Sequence, residues 1–239
     1  MIPCGKCDGC RASRRQDWSI RMYHESQTFD RNCFVTLTYE NAPEKINAPH
    51  LQQFIRRLRH LSTTPIRYFA CGEYGEQTNR PHYHAIIFGE DFLGGAFDIT
   101  DQLYGNILLD RIWRHGQTSI APFNMSTACY VAGYVNKKIG DTDTFNIMSK
   151  RPPIGYNYAL RWQDQLARTE KVVIEGEEYP IPKAYLEWET PSAFRPEPVH
   201  LDTVRGNRRK YLLQRSDQQL RNMEINHKAN QKHKGQKAL

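Results

Sequence analysis

Residues 81–88 read Pro-His-Tyr-His-Ala-Ile-Ile-Phe, and this stretch decides the fold. Its aromatic and β-branched residues are typical of a β-strand. Successive side chains of a strand point to opposite faces of the sheet, so His82 and His84 share one face. A polar segment, residues 72–80, comes directly before it, and residues 66–71 are again largely apolar and aromatic. We therefore predict an antiparallel hairpin that carries both histidines on its second strand.

Hydrophobic spacing predicts the other elements. The predicted strands cover residues 34–39, 66–71, 81–88 and 118–120, the predicted helices cover residues 50–61 and 103–113, and a further hairpin is predicted at 172–182. Ser126 or Thr127 is predicted to cap another helix that runs through residue 139. Strands and helices are interspersed around hairpins, which favours an α+β fold with a central antiparallel sheet and flanking helices.

The two histidines are candidate metal ligands. Two residues apart on one strand face, their Cα atoms lie roughly 7 Å apart, so their ring nitrogens can converge on one cation. Glu73 lies where the partner strand of the hairpin leaves the sheet and would supply a harder third ligand. Two histidines and a carboxylate leave positions open for water and phosphate, which suits Mg²⁺ or Mn²⁺ at a phosphoryl-transfer site. Two ordinary imidazoles without a metal remain the alternative.

Two tyrosines form a second group. Tyr130 and Tyr134 are four residues apart, so on a helix their rings share one face. Lys137 and Lys138 follow one turn later, and a nearby ammonium favours phenolate over the phenol, whose ordinary pKa is about 10. A tyrosine that attacks a DNA phosphate forms a reversible phosphotyrosine, and two tyrosines permit two successive transfers. We expect Tyr134, which is nearer the lysines, to be the main nucleophile; a helix that only packs on the sheet is the alternative.

Sequence motifs around these residues occur in a fixed order. They read Phe-Val-Thr-Leu-Thr at 34–38, Gly-Glu-Tyr-Gly at 72–75, Arg-Pro-His-Tyr-His-Ala at 80–85 and Tyr-Val-Ala-Gly-Tyr-Val-Asn-Lys at 130–137. In this order and spacing the chain resembles the HUH endonucleases, named for a His-hydrophobic-His metal motif. More narrowly, it resembles the rolling-circle replication initiators of microviruses, which are small single-stranded DNA phages. One departure is Gly133, where some relatives carry lysine, so Lys137 or Lys138 would supply the cation.

The resemblance implies an RRM-like antiparallel sheet with the histidines on a middle strand and the tyrosine helix nearby. It implies that the protein nicks one DNA strand at the phage origin and leaves a 5′-phosphotyrosine and a free 3′-OH. A host DNA polymerase, working with a host helicase, would extend that end, and the second tyrosine would cut again to release a circle. The alternatives are an HUH transposase or relaxase, although relaxases generally place the tyrosine before the His motif, and a non-catalytic nucleic-acid-binding module.

A cluster of cysteines opens the chain. Cys4, Cys7 and Cys10 offer three soft ligands, one short of a closed tetrahedral Zn²⁺ site. The candidates for a fourth ligand are Cys33, Cys71 and His24. A loop of reduced thiols is the alternative to structural zinc.

Basic residues are the candidates for DNA contact. Those singled out are Arg11, Arg14, Arg15, Lys150 and Arg151. The chain of 239 residues carries a net charge of +7, and residues 205–239 hold ten Lys or Arg against two acids, which gives this tail +8. Such a tail is typical either of phosphate binding through counterion release or of a solvated chain end.

The bulk composition bounds the class of protein. Hydrophobic residues make up 39% of the chain and aromatic residues 11%, so it should fold. The N-terminus has no apolar signal segment, and no run of about 18 apolar residues occurs, so we expect no membrane association and a location in the cytoplasm of the bacterial host. We predict an N-terminal Cys-rich segment at 1–30, a nuclease domain with a C-terminal elaboration at 31–204 and a basic tail at 205–239.

Overall fold

The structure is a computed structural model that describes residues 4–75, 77–137, 144–188 and 206. Two compact units are present. One comprises residues 18–158, and the other contains the described residues 4–17, 159–188 and 206. The division at 1–30, 31–204 and 205–239 stays a prediction, and apart from residue 206 the basic tail lies outside the described residues.

The larger unit is built on one antiparallel sheet. Its strands are β1 (Asn32–Thr38), β2 (Arg67–Tyr74), β3 (Pro81–Phe88), β4 (Phe97–Thr100), β5 (Leu103–Gly105), β6 (Thr118–Pro122) and β7 (Phe145–Met148). Their order across the sheet is β4-β5-β6-β1-β3-β2-β7, so the histidine strand β3 lies in the interior, between β1 and β2. In the smaller unit, β8 (Lys171–Ile174) and β9 (Glu177–Pro180) form the predicted hairpin.

Helices complete both units. They are α1 (Asp8–Ser26), α2 (Ala48–Leu61), α3 (Ile107–Trp113), α4 (Met125–Lys137), α5 (Tyr156–Arg161), α6 (Gln163–Thr169) and α7 (Lys183–Glu187). With these helices around an antiparallel sheet, the predicted α+β class is confirmed. Within the described residues, no helix has the length and apolar character needed to cross a bilayer.

The two faces of the sheet bury different cores because alternate residues of each strand point in opposite directions. On one face, Tyr83 and Ala85 of β3 join the apolar side of α2 and the buried residues of α3. On the other face, Ile86 of β3 joins Val131 and its neighbours on α4. His82 and His84 have the same parity as Ile86, so they lie on the α4 face.

The predicted helix at 103–113 is wrong in its first half. Residues 103–105 form β5, which pairs with β4 and β6, and only Ile107–Trp113 is helical. Asn106 separates the two elements, because its side-chain oxygen accepts hydrogen bonds from the backbone N–H groups of Leu108 and Leu109 at 2.8 and 3.2 Å. An asparagine that caps the new helix in this way ends the extended segment before it.

The start of α4 also differs from the prediction, because Asn124 caps the helix instead of Ser126 or Thr127. The Asn124 side-chain oxygen accepts from the Thr127 N–H at 2.9 Å, and the Thr127 hydroxyl oxygen accepts from the Asn124 N–H at 3.0 Å. This reciprocal pair fixes where the tyrosine helix begins. Its predicted end at residue 139 lies outside the described residues.

Candidate functional site

Strand pairing brings the three candidate metal ligands to one face of the sheet. In the β2–β3 pair Glu73 is directly opposite His82, and Cys71 is opposite His84. Residues directly opposite each other in an antiparallel pair project to the same face. The carboxylate and both imidazoles therefore converge above the middle of the sheet, as the sequence predicted.

The distances are those of a compact ligand set. The Oε1 atom of Glu73 lies 3.1 Å from Nε2 of His82 and 3.1 Å from Nε2 of His84. Glu73 is 4% exposed and His84 is 5% exposed, whereas the side chain of His82 is 19% exposed. The cluster is thus closed on the protein side and reachable from the His82 side.

Hydrogen bonds to the far nitrogens orient both rings. His82 Nδ1 lies 3.2 Å from the Arg80 carbonyl oxygen, which can only accept, so Nδ1 donates there. His84 Nδ1 lies 3.0 Å from the hydroxyl of Thr36, the residue opposite it on β1. With a proton on each Nδ1, both Nε2 atoms keep a lone pair directed toward Glu73, which is the arrangement that metal-binding histidines adopt.

The carboxylate is held in its charged form. Burial by itself would raise the pKa of Glu73, but hydrogen bonds from His82, His84 and Tyr134 outweigh it and hold the pKa well below its ordinary value. An ionised carboxylate beside two imidazole nitrogens is a donor set that fits a divalent cation.

Helix α4 places both tyrosines beside this cluster. The Tyr130 hydroxyl lies 3.3 Å from Nε2 of His84, and the Tyr134 ring stacks on the His84 ring with centroids 5.7 Å apart. The exposed fraction of Tyr130 is 45%, whereas that of Tyr134 is 9%. Of the two phenols, Tyr130 is therefore the one that an incoming strand can reach directly.

Tyr134 is bound into the cluster itself. Burial, and then hydrogen bonds with Glu73 and Tyr130, raise the pKa of Tyr134 well above that of a free phenol. The expectation that Tyr134 is the main nucleophile rested on the lysines that follow it. The side chain of Lys137 and all of Lys138 lie outside the described residues, so this expectation stays a prediction.

Two residues of the site were not singled out from the sequence. Thr36 orients His84, and the Phe34 ring stacks on His84 at 5.4 Å and meets the Tyr130 ring edge-on at 5.9 Å. Both belong to the Phe-Val-Thr-Leu-Thr motif at 34–38. The signal that could have identified them is the β1–β3 register, because only that pairing places this motif beside the histidines.

The cysteine cluster at the N-terminus is also assembled. The sulfurs of Cys4 and Cys10 are 4.0 Å apart, and those of Cys4, Cys7 and Cys10 all lie within 4.8 Å of one another. The Cys7 N–H donates to the Cys4 sulfur at 3.3 Å across a turn in which Gly5 has a positive φ of 73°. Among the described residues, no further His, Cys, Asp or Glu ligand atom joins these three.

The candidates for a fourth zinc ligand have other environments. Cys33 is buried and donates to the Glu90 carbonyl oxygen at 3.3 Å, and Cys71 is buried in the core on the α4 face. The His24 ring stacks on Tyr158 with centroids 3.8 Å apart. None of the three belongs to the thiol cluster.

The candidate DNA-contacting residues lie on helix and turn surfaces. Arg11 and Arg15 on α1 are exposed, and the half-buried Arg14 donates to the Gly5 carbonyl oxygen at 3.0 Å. Lys150 and Arg151 are exposed in the turn after β7. Contact of any of these residues with DNA stays a prediction.

Comparison with known proteins bears on the family. Residues 32–139, which include the histidine cluster and both tyrosines, match the model of the replication-associated protein family that is described by its ORF2 members. Over 212 residues the chain is 33% identical to replication-associated protein VP4 of Bdellovibrio phage phiMH2K, an alignment that covers 78% of this chain and 67% of that protein. The chain belongs to the family of phage replication-associated proteins. The resemblance seen in the motifs is thereby confirmed at the level of the family.

Two further relatives of this replication-associated family are more distant. Replication-associated protein ORF2 of Spiroplasma virus 4 is 29% identical over 246 residues, which cover 87% of this chain and 73% of that protein. Replication-associated protein ORF4 of Chlamydia phage 1 is 28% identical over 209 residues, and the chain spans about half, 52%, of its length. No solved structure is a significant match to the chain.

Proposed function

We propose that the protein initiates rolling-circle replication of a phage genome as a metal-dependent endonuclease that nicks single-stranded origin DNA. The observation that carries this proposal is the meeting of two groups from distant parts of the chain. The Tyr130 hydroxyl on α4 lies 3.3 Å from His84, which itself lies 3.1 Å from Glu73. A nucleophile and a ligand set for a phosphate-binding cation thus occupy one exposed site.

The ligands for Mg²⁺ or Mn²⁺ would be Glu73, His82 and His84. When bound, the cation would polarise the scissile phosphate and withdraw charge from it. The chain's own contribution is to hold the two imidazoles in one orientation, through Arg80 and Thr36, and to keep the carboxylate charged. Burial of Glu73 and His84 excludes water from the protein side of the site.

The reaction conserves the phosphodiester. A tyrosine hydroxyl oxygen forms a bond to phosphorus, the bond from phosphorus to the 3′ oxygen breaks, and the phenol proton ends on that departing oxygen. The products are a 5′-phosphotyrosine on the protein and a free 3′-OH on the DNA, and a second hydroxyl can reverse the linkage. A host polymerase would extend the 3′-OH and a host helicase would open the duplex, in the cytoplasm of the bacterium.

Accessibility assigns the first attack to Tyr130. Its ring is the exposed one, whereas Tyr134 is buried against Glu73 and His84. Tyr134 would act in the second transfer, after DNA and metal have replaced its present partners. This order reverses the one expected from the lysines alone.

The test uses labelled single-stranded DNA that carries the phage's own origin, incubated with Mn²⁺. We expect the wild type to cut at one position and Glu73→Gln to lose cleavage at least 100-fold while still binding DNA, since backbone affinity comes from dispersed Lys and Arg. Glu44→Gln, the same change at an exposed residue, is the matched control and should cleave normally. Binding without cleavage by the wild type would favour a non-catalytic DNA-binding module instead.

The proposal extends to structural zinc at the cysteine cluster. Tetrahedral Zn–S bonds of about 2.3 Å place thiolate sulfurs roughly 3.8 Å apart, close to the 4.0 Å between Cys4 and Cys10. The fourth ligand would be water or a group outside the described residues. Purified protein should contain one zinc by elemental analysis, Cys7→Ser should lose it, and Cys129→Ser should keep it. Zinc-free wild-type protein would contradict this assignment.

A further inference from the structure

A basic pocket lies between α2 and α3 in the larger unit. Its volume is about 300 Å³, and it is lined by Arg56 and Arg57 of α2, Arg111 of α3 and Arg114 just after α3, around the apolar Leu61 and Ile112. We call it the α2–α3 pocket. No acidic side chain lines it.

The positive charge of this pocket is not neutralised within the described part of the chain. Arg56, Arg111 and Arg114 are exposed, and none forms a salt bridge with a described carboxylate. Burial, and then the nearby charges of Arg114 and Arg56, lower the pKa of Arg57. The guanidinium groups therefore crowd one another, and a bound anion would relieve that repulsion.

One of the arginines is already fixed in place. Arg57 donates to the carbonyl oxygens of Ile112 and Trp113 at 2.8 and 3.2 Å and so anchors the end of α3 to α2. The other three arginines surround this rigid base. A rigid base with exposed guanidinium groups is a preorganised anion site, because little side-chain freedom of Arg57 is lost when a ligand arrives.

The chemistry of the pocket points to a nucleic acid strand. Guanidinium groups pair with phosphate oxygens through two parallel hydrogen bonds. Leu61, which is 59% exposed, and Ile112 provide an apolar surface for a sugar or a base. The family membership of the chain places it in DNA replication, so the phosphate-bearing ligand at hand is DNA.

The pocket and the histidine cluster lie on opposite faces of the sheet. Helices α2 and α3 pack over the face that carries Tyr83, whereas His82 and His84 lie on the face covered by α4. A sheet and one helix layer together measure roughly 20 Å. At about 3.4 Å per nucleotide, a strand needs at least about six nucleotides to span that distance, and more to pass around the sheet edge.

We propose that the α2–α3 pocket is a second DNA-binding site, which holds the phosphate backbone of DNA remote from the nucleotide that is cut. The origin strand would pass around the sheet, with the cut site at the histidine face and a flanking stretch in the pocket. This inference rests on the family's role in DNA replication and is independent of the cleavage chemistry proposed above.

The test removes three charges and measures the salt dependence of binding. In Arg56→Gln/Arg111→Gln/Arg114→Gln, Arg57 is left in place to keep the fold. Each lost contact to single-stranded DNA should lower the slope of log affinity against log salt by about 0.7, or about 2 in total. Lowering salt from 1 M to 0.1 M would then raise wild-type affinity on the order of 100-fold more than that of the variant. The Arg→Lys triple variant should retain the slope, and Lys45→Gln/Arg168→Gln/Lys183→Gln controls for net charge.

Substrate length separates this proposal from the proposed nuclease. We expect the triple Gln variant to bind a 30-nucleotide origin strand more weakly than wild type, yet to bind and cleave a six-nucleotide strand around the cut site as wild type does. An unchanged salt slope would overturn the proposal, as would an equal loss on both lengths or an equal loss in the charge control. Competition by ATP that leaves the DNA slope unchanged would assign the pocket to a free nucleotide instead. Absence of cleavage by the wild type, with the slope change intact, would refute the nuclease and leave this site standing.

Discussion

Replacing Thr36 by valine tests how the site prepares His84 for a metal. The Thr36 hydroxyl lies 3.0 Å from His84 Nδ1, and valine keeps the β-branched shape that suits strand β1 while it removes this hydrogen-bond partner. Loss of such a partner to a metal-bound histidine typically lowers metal affinity about 10- to 100-fold. That corresponds to about 1.4 to 2.7 kcal/mol.

The assay for Thr36→Val is direct titration with Mn²⁺ by calorimetry, together with the Mn²⁺ dependence of origin cleavage. We expect both midpoints to rise 10- to 100-fold, and cleavage at saturating Mn²⁺ to recover to near the wild-type rate. Thr38→Val is the matched control, because the Thr38 hydroxyl donates to the Gln117 carbonyl oxygen at 2.8 Å rather than to a histidine. Wild-type affinity in Thr36→Val, or an equal loss in Thr38→Val, would refute the reasoning.

Three further outcomes are expected. In single-turnover cleavage, Tyr130→Phe should reduce the first nick at least 100-fold while Tyr134→Phe mainly impairs strand transfer; the reverse pattern would return the first attack to Tyr134. Chelation of divalent cations by EDTA should stop cleavage without releasing DNA in a filter-binding assay, and cleavage that persists would exclude the metal role. Burial lowers the pKa of His24 to about 3; the unfolded chain therefore binds one more proton between pH 6.5 and 3, and the free energy of unfolding should fall by about 1.4 kcal/mol per pH unit as pH drops through that window. His24→Phe, which keeps a ring on Tyr158, should flatten this slope in urea unfolding at pH 7 and pH 5, and parallel profiles would contradict the assignment.

The parts of the fold that the sequence predicted are those with strong local patterns. Strand β3 matches its predicted bounds, and the last residue of α2 is the predicted one, because period-two and helical spacing are unambiguous there. The segment 103–113 was mistaken for one helix because β5 has only three residues and depends on its neighbours β4 and β6 for its extended form. Strand β7 was not predicted at all, since its four residues gain their structure from pairing with β2.

For the candidate site, sequence order identified the ligands, and three-dimensional pairing was needed for their environment. Glu73, His82 and His84 could be placed together because a hairpin joins them along the chain. The contact of Thr36 with His84 depends on the β1–β3 register, which bridges 48 residues. The difference in exposure between Tyr130 and Tyr134 depends on how α4 packs on the sheet, which helical spacing alone leaves undetermined.

The central claim is that a tyrosine of α4 attacks DNA beside the Glu73–His82–His84 cluster. Its most direct test is a denaturing gel of the wild-type protein with 5′- and 3′-labelled origin strands and Mn²⁺. We predict a covalent protein–DNA species that carries only the label on the 3′ side of the cut, because the 5′-phosphate stays on tyrosine. Tyr130→Phe/Tyr134→Phe should form none. An adduct that persists in this double variant, or its absence from the wild type on its own origin, would contradict the account.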